Sequence, residues 1–279
     1  MGYRGPELWR MRLANRLDRS SGSGKLTDRE KRRYDRQLIL SGWGEETQER
    51  LKRATVFIAG AGGLGSPVSL YLAAAGVGTL RICDSGAVEL SNLNRQILHG
   101  DRDLGRWKVH SARRRLNRAN PLVRIVALQA SIDESSIEGL VGEATLLIDC
   151  LDNFQTRLPL NAFSVRRGLP LIHAGVTGYC GQVTFLHPPN TPCLACLVPQ
   201  APPQEVFPIL GATAGLLGCL QAMEALKYLA GQGSLLEGRM LFCDGAAMQF
   251  QEVALEKDPR CPVCGAGSQR SSSTPMDAG

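Results

Sequence analysis

The sequence predicts an α/β fold of the Rossmann-like type, with a mostly parallel sheet and helices on both of its faces. Three observations lead to this prediction. Short β-branched runs alternate with segments of helical period. A glycine-rich loop, residues 60–65, separates the first strand from the next helix. Two Cys-x-x-Cys pairs in the C-terminal half predict a structural zinc knuckle, and the late strands near them are expected to be antiparallel.

The predicted elements follow one another with short connections. Small residues and glycine end several helices, and Asp84 and Asp152 follow buried strands. A Pro-rich loop, residues 188–208, contains the first cysteine pair. Helices are predicted at residues 29–40, 45–53, 66–75, 108–120, 154–167 and 213–230, and strands at 54–59, 79–83, 123–129, 146–150, 169–173, 181–186, 239–243 and 249–254.

The formal net charge of +6 belongs to the N-terminus of the 279-residue chain. Residues 1–36 contain eleven Lys or Arg and five Asp or Glu, whereas the remainder contains 21 of each. We therefore expect a basic flexible tail at 1–28, a single domain at 29–268 and a disordered tail at 269–279. This distribution argues against nucleic-acid binding, and the absence of a long apolar run argues against a membrane span. The nine cysteines, four of them spaced for zinc, do not have the pattern of a disulfide framework in a small secreted protein, so we expect a reducing, cytoplasmic location.

The glycine loop has the spacing of a phosphate-binding turn. Gly60, Gly62 and Gly65 stand at the three glycine positions, and Gly63 adds a fourth residue without a side chain. Such a loop presents backbone N–H groups to phosphate at a helix N-terminus, and Asp84 at the end of the second strand can hold a ribose. The motif alone leaves a nicotinamide-dependent oxidoreductase open.

Residues beyond Asp84 favour a nucleoside triphosphate. The segment Ser-Asn-Leu-Asn-Arg-Gln, residues 91–96, is polar and contains Arg95, and Lys108 opens the following helix. Departure of pyrophosphate requires cations of this kind, whereas an intact dinucleotide needs few of them. Asp152 lies at the carboxyl end of a strand, where a carboxylate suits Mg²⁺.

The two cysteine pairs have the spacing of a closed tetrahedral zinc site. Four thiolates leave no position for water, so such a site is structural. It would hold the 188–208 loop against the C-terminal segment. The predicted ligands are Cys193, Cys196, Cys261 and Cys264.

Taken together, these motifs resemble the ThiF/MoeB/HesA family, relatives of the ubiquitin-activating enzymes, and most closely its MoeB type. The shared order extends from about residue 30 to residue 265. It comprises Arg-Tyr-Asp-Arg-Gln at 33–37, the loop at 60–65, Asp84, the segment 91–96, Lys108, Asp-Cys-Leu-Asp-Asn at 149–153, Gly-Gln-Val at 181–183 and both cysteine pairs.

The resemblance implies ATP-dependent adenylation of the C-terminal glycine of a ubiquitin-like sulfur-carrier protein ending in Gly-Gly. Pyrophosphate would be released, in molybdopterin or thiamine biosynthesis or a related sulfur pathway. It implies catalytic roles for Arg95, Lys108 and Asp152, and for Arg36 acting in the partner's site of a homodimer. The nucleotide and Mg²⁺ would contact Gly60, Gly62, Gly63, Gly65, Asp84, Ser91, Asn92, Leu93, Asn94, Arg95, Lys108, Asp152 and Asn153.

One departure from the family pattern affects the expected chemistry. Residues 205–213 contain no cysteine, where some relatives carry one that captures the activated carrier. No sulfurtransferase domain follows Cys264, so we expect a separate persulfide donor. Cys180 is the remaining cysteine whose position suggests reactivity. A catalytically silent nucleotide-binding adaptor is the other alternative.

Overall fold

The computed structural model describes residues 24–203 and 207–265. Its helices are α1 (Asp28–Arg33), α2 (Asp35–Leu38), α3 (Gly44–Arg53), α4 (Gly65–Ala75), α5 (Lys108–Ala119), α6 (Ile137–Val141), α7 (Phe154–Arg167), α8 (Leu194–Leu197) and α9 (Gly211–Ala230). Its strands are β1 (Thr55–Ala59), β2 (Thr79–Cys83), β3 (Arg124–Leu128), β4 (Leu146–Asp149), β5 (Leu171–Thr177), β6 (Cys180–Leu186), β7 (Arg239–Asp244) and β8 (Gln249–Ala254).

The strands form one eight-stranded sheet in the order β3-β2-β1-β4-β5-β6-β7-β8. Strands β1 to β5 pair in parallel, and β5 to β8 form an antiparallel meander. The chain reverses its direction of winding between β1 and β4, where Ala59 pairs with Asp149. In open sheets of this kind ligands bind outside the carboxyl ends of the strands at such a point. The predicted fold class is confirmed.

Two apolar cores cover the two faces of the sheet. On one face Ile58 of β1 packs with Leu72 of α4 and Leu217 of α9. On the other, Phe57 packs with Leu160 of α7. Adjacent residues of one strand therefore point into different cores, as the period of two in a strand requires. Helices on both faces follow from this alternation.

Several predicted boundaries are wrong, for physical reasons. The helix predicted at 29–40 is interrupted at Tyr34, whose buried hydroxyl accepts a hydrogen bond from Asn120 Nδ2 at 2.9 Å. The short helices α6 and α8 were not predicted, because four or five residues show no periodicity. Strand β5 continues to Thr177 rather than ending at 173, because β6 pairs with its whole length.

Within the described ranges, no helix is long and apolar enough to cross a membrane. The tails predicted at 1–28 and 269–279 lie outside the described residues, apart from 24–28.

Candidate nucleotide site and cysteine cluster

A cavity of about 1280 Å³ opens at the carboxyl edge of the parallel strands. It brings together residues from eight separate parts of the chain at the point where the winding switches between β1 and β4. Of the predicted nucleotide ligands, those that line it are Gly60, Gly62, Gly63, Asp84, Arg95, Lys108, Asp152 and Asn153. Gly65, Ser91, Asn92, Leu93 and Asn94 are not among its lining residues.

The glycines of the loop serve two different purposes. A Cβ on Gly65 would lie 2.0 Å from the Gly60 carbonyl oxygen, and one on Gly60, at φ +103°, would lie 2.5 Å from the Cys150 oxygen. These two glycines are required by the close approach of backbone to backbone. At Gly62 the nearest atom to a Cβ, on Gln96, is 3.7 Å away, so packing within the protein does not demand glycine there. The missing side chain instead leaves room for a ligand.

The Asp84 carboxylate is held at the entrance of this loop by backbone donors. One oxygen accepts from Ala61 N at 2.9 Å and the other from Gly86 N at 2.7 Å. The carboxylate is thereby fixed toward the cavity. Lys108 is the first residue of α5, and its backbone N–H donates to the Gly86 carbonyl at 3.0 Å. This bond places the cationic side chain of Lys108 near Asp84.

The segment 91–96 is folded by its own polar side chains. Asn92 is buried, and its side-chain oxygen accepts from Glu89 N at 3.2 Å. The Arg95 guanidinium donates to the Ser91 carbonyl at 2.9 Å and to Asn94 Oδ1 at 3.0 Å. Ser91, Asn92 and Asn94 thus shape the turn that presents Arg95 to the cavity.

The β4–α7 loop carries Asp152 and Asn153 to the same cavity. Asn153 is the N-cap of α7, with its side-chain oxygen accepting from Thr156 N at 2.9 Å. Asp152 is exposed beside it and accepts from Asn153 Nδ2 at 3.3 Å. The Asp152 carboxylate and the Asn153 amide oxygen are of the donor type that Mg²⁺ prefers.

A buried charge cluster lies beneath this loop. Asp149 Oδ2 is 2.6 Å from His173 Nδ1 and 3.2 Å from Arg157 Nε. Burial raises the pKa of Asp149, but the Arg157 charge and the His173 hydrogen bond outweigh it, so the pKa lies below its usual value. Burial lowers the pKa of His173. Arg157 also donates to the Leu151 carbonyl and, at 2.9 Å, to that of Ala174, and so ties the loop to β5.

The far end of the cavity is apolar and comes from the antiparallel strands. Phe242 of β7 and Phe250 of β8 line it together with Phe207 and Ile209, and all three phenylalanines are exposed. Cys180 is exposed in the same wall. This wall is accessible to a second molecule.

Arg36 does not line the cavity. It lies exposed on α2, and two exposed apolar residues, Ile39 and Leu40, directly follow this helix. Within one subunit it therefore has no part in the cavity wall.

The four predicted zinc ligands come together in a second site. Their Sγ atoms all lie within 4.8 Å of one another, with Cys193 and Cys261 3.7 Å apart and Cys196 and Cys264 3.4 Å apart. Zn–S bonds of about 2.3 Å place tetrahedral sulfur ligands about 3.8 Å apart, so the cluster fits zinc. These separations are too long for disulfide bonds.

Gln96 and Arg157 are among the cavity-lining residues that were not predicted as site residues. Gln96 belongs to the segment 91–96, on which the nucleotide-site prediction rested. Its side chain is an uncharged amide, and nothing in the sequence marked it as a separate ligand. Arg157 of α7 lines the cavity and forms an ion pair with Asp149 of β4. That contact depends on how α7 packs against β4, which the sequence does not indicate.

Comparison with known proteins places the chain among adenylyltransferases. A model described as the ThiF family matches residues 34–263. The SAMP-activating enzyme E1 of Haloferax volcanii is 42% identical over 84% of this chain and 89% of its own length. The molybdopterin-synthase adenylyltransferase of Escherichia coli is 41% identical over 86% of this chain and 99% of its own. The sulfur carrier protein adenylyltransferase of Thermus thermophilus is 40% identical over 86% and 93%.

Among solved structures, E. coli MccB with ATP superposes with a TM-score of 0.75 at 24% identity, over 83% of this chain and 74% of that one. At this identity the similarity concerns the fold alone.

Proposed function

This chain belongs to the ThiF family, and from that membership we propose that it adenylates the C-terminal glycine carboxylate of a ubiquitin-like sulfur-carrier protein. The relatives named above as adenylyltransferases match over most of their length, which supports this activity. The observation that carries the proposal is the single cavity that joins Gly62, Asp84, Arg95, Lys108 and Asp152.

In this cavity the triphosphate would lie along the glycine loop. Backbone N–H groups of the loop and the N-terminus of α4 would face its phosphates, and Asp84 would accept hydrogen bonds from the ribose hydroxyls. The carboxylate of Asp84 is already held by Ala61 N and Gly86 N, so it needs little reorganisation on binding.

The proposed reaction is an in-line displacement at the α-phosphorus. The carrier's carboxylate oxygen forms a bond to that phosphorus while the bond to the departing pyrophosphate breaks. A carboxylate is a poor electrophile, and the acyl-adenylate gives it a good leaving group. Arg95 and Lys108 would neutralise the charge that accumulates on the pyrophosphate, so catalysis is mainly positioning and charge stabilisation.

Asp152 and Asn153 are the residues that would hold Mg²⁺. Bound there, the ion would supply positive charge that offsets the charge of the phosphates. The ion pair of Arg157 with Asp149, and the bond of Arg157 to the Leu151 carbonyl, keep these two ligands at the cavity wall.

The carrier would approach over the antiparallel half of the sheet. Its small, flexible Gly-Gly end can enter beside Cys180, while its folded part would contact the exposed Phe242 and Phe250. An apolar wall of this kind suits a protein partner better than a small metabolite.

We further propose a homodimer in which Arg36 of each subunit reaches the partner's phosphate site. Its exposure on α2, next to exposed Ile39 and Leu40, supports an interface at this surface. The nine cysteines form no disulfide bond, which supports a reducing, cytoplasmic location. The lack of a cysteine in residues 205–213 supports a sulfur donor separate from this chain.

The test is ATP–pyrophosphate exchange with labelled pyrophosphate and candidate carriers from the molybdopterin and thiamine routes. Exchange should require ATP, Mg²⁺ and a carrier with its intact last glycine, and the carrier that supports it identifies the pathway. A carrier shortened by that glycine is the matched control. Equal exchange with the shortened carrier, or ATP binding without exchange, would contradict adenylation and favour an adaptor.

A further inference from the structure

Asn161 is a buried asparagine on α7 whose side chain faces the cysteine cluster. It is 1% exposed, and its Oδ1 accepts a hydrogen bond from Leu194 N at 2.8 Å. Leu194 follows Cys193 directly and is the first residue of α8. The amide oxygen of Asn161 therefore fixes the turn that carries the first two thiols.

The other half of this amide, Nδ2, makes no regular hydrogen bond within the described residues. A buried N–H donor without a partner destabilises the fold unless something compensates it. The acceptor that it faces is the Cys193 sulfur. The Asn161 side chain interacts with that sulfur, since its Oδ1 is already anchored on the neighbouring Leu194 N. A thiolate at Cys193 would give Nδ2 the acceptor it lacks.

We propose that Asn161 is a positioning residue for a zinc ion held by the four cysteines, with Nδ2 donating to the Cys193 thiolate while Oδ1 holds the Leu194 N–H. Hydrogen bonds to ligating atoms orient them and offset their charge, and the loss of such a partner typically costs 10–100-fold in metal affinity. The orphaned amide N–H fits a metal-bound thiolate, which is a charged acceptor, better than a neutral thiol.

The position of Asn161 on α7 gives the cluster a rigid support. Arg157 precedes it by one helical turn, so both side chains project from the same face of the helix. Arg157 donates a hydrogen bond to the Ala174 carbonyl of β5, beside the proposed nucleotide site, and Asn161 accepts one from Leu194 N in the cysteine cluster. One helix therefore anchors both sites, although the proposal concerns metal retention and does not depend on adenylation.

The experiment compares zinc release from the purified full-length protein and its variants. Asn161→Asp keeps an acceptor for Leu194 N but replaces the donor with an oxygen that repels a thiolate. Asn120→Asp is the matched control, because Asn120 is also fully buried and its Nδ2 already donates to Tyr34 and Ala73, away from the cysteines. Zinc content is measured first, followed by the rate of transfer to a chelating dye under native conditions.

Wild-type protein should hold one zinc per chain, and Asn161→Asp should release it about 10–100-fold faster. Asn120→Asp should lose stability without a matching gain in release rate. If the carboxylate prevents folding, Asn161→Leu, which removes both the donor and the acceptor without adding charge, should show the faster release. A folded Asn161 variant that retains zinc as well as wild type would overturn the proposal, and so would wild-type protein without zinc.

Discussion

Replacement of Arg157 by methionine tests the buried charge cluster most directly. Methionine keeps much of the apolar volume but removes the guanidinium that lies 3.2 Å from Asp149. Asp149 is fully buried, so its carboxylate would lose its compensating charge. Breaking a buried pair from one side typically costs about 3–5 kcal/mol, because the remaining charge stays out of water. For a domain of this size each kcal/mol lowers the unfolding temperature by about 2–4 °C, which gives a fall of roughly 10 °C.

The pH dependence gives this prediction a sign. In the wild type the pKa of Asp149 is below its usual value, so its ionisation contributes stability that is complete above the unfolded pKa and is lost as pH falls through the folded pKa. Without Arg157, burial dominates and the pKa of the Asp149–His173 pair rises. A proton taken up by that pair would relieve the unpaired charge. The stability deficit of Arg157→Met should therefore shrink as pH is lowered from about 7 to about 5.

Urea unfolding at several pH values measures both effects. Arg166→Met is the control on the same helix, since that arginine is 58% exposed and its loss should change stability by less than about 0.5 kcal/mol. Adding Asp149→Asn to Arg157→Met removes the uncompensated charge and should recover most of the loss. A deficit below about 1 kcal/mol, or one that does not vary with pH, would refute the assignment of Arg157 and Asp149 as a buried ion pair.

Four further predictions concern the two sites. Lys108→Ala should lower ATP–pyrophosphate exchange on the order of 10²–10³-fold while leaving the unfolding temperature unchanged, and equal activity would exclude its proposed role. Gly65→Ala should fail to fold stably because of the 2.0 Å clash, whereas Gly62→Ala should fold and lose ATP affinity, as calorimetry would show. Mixing inactive Arg36→Ala and Asp152→Ala proteins should restore about a quarter of wild-type exchange if Arg36 acts in the partner's site, and none if it acts within its own subunit. Removal of the metal from the cysteine cluster with a chelator should lower the unfolding temperature of the ATP-free protein. An unchanged melting curve would argue against a structural metal.

The fold could be predicted from sequence because its signals are local. Strand β2 and helix α7 have the predicted bounds, since a β-branched run ending in Asp84 and a segment bounded by Asn153 and Gly168 specify them directly. The interruption at Tyr34 could not be predicted in this way. Tyr34 accepts a hydrogen bond from Asn120, which lies 86 residues away and meets it only in the folded chain.

The site was predictable to the extent that its residues lie next to strand ends. Gly62, Asp84 and Asp152 follow three parallel strands, whose carboxyl ends meet at one edge, and all three line the cavity. Arg157 has no such signal, because a basic residue inside a helix is usually a solvated charge. Its role became visible only through its distance to Asp149 and its bond to Ala174.

The division of the sheet into parallel and antiparallel halves explains how one cavity can serve two partners of different chemistry. The parallel strands end in glycine, aspartate and backbone N–H groups, which suit the polyanionic nucleotide. Phe242 of β7 and Phe250 of β8 are exposed in the part of the chain that the structure describes, so they can meet a protein surface. Strand β5 belongs to both halves, because it pairs with β4 in parallel and with β6 in antiparallel fashion. A carboxylate delivered from the apolar side would therefore arrive beside the phosphates, which is the arrangement that adenylation of a protein's C-terminus requires.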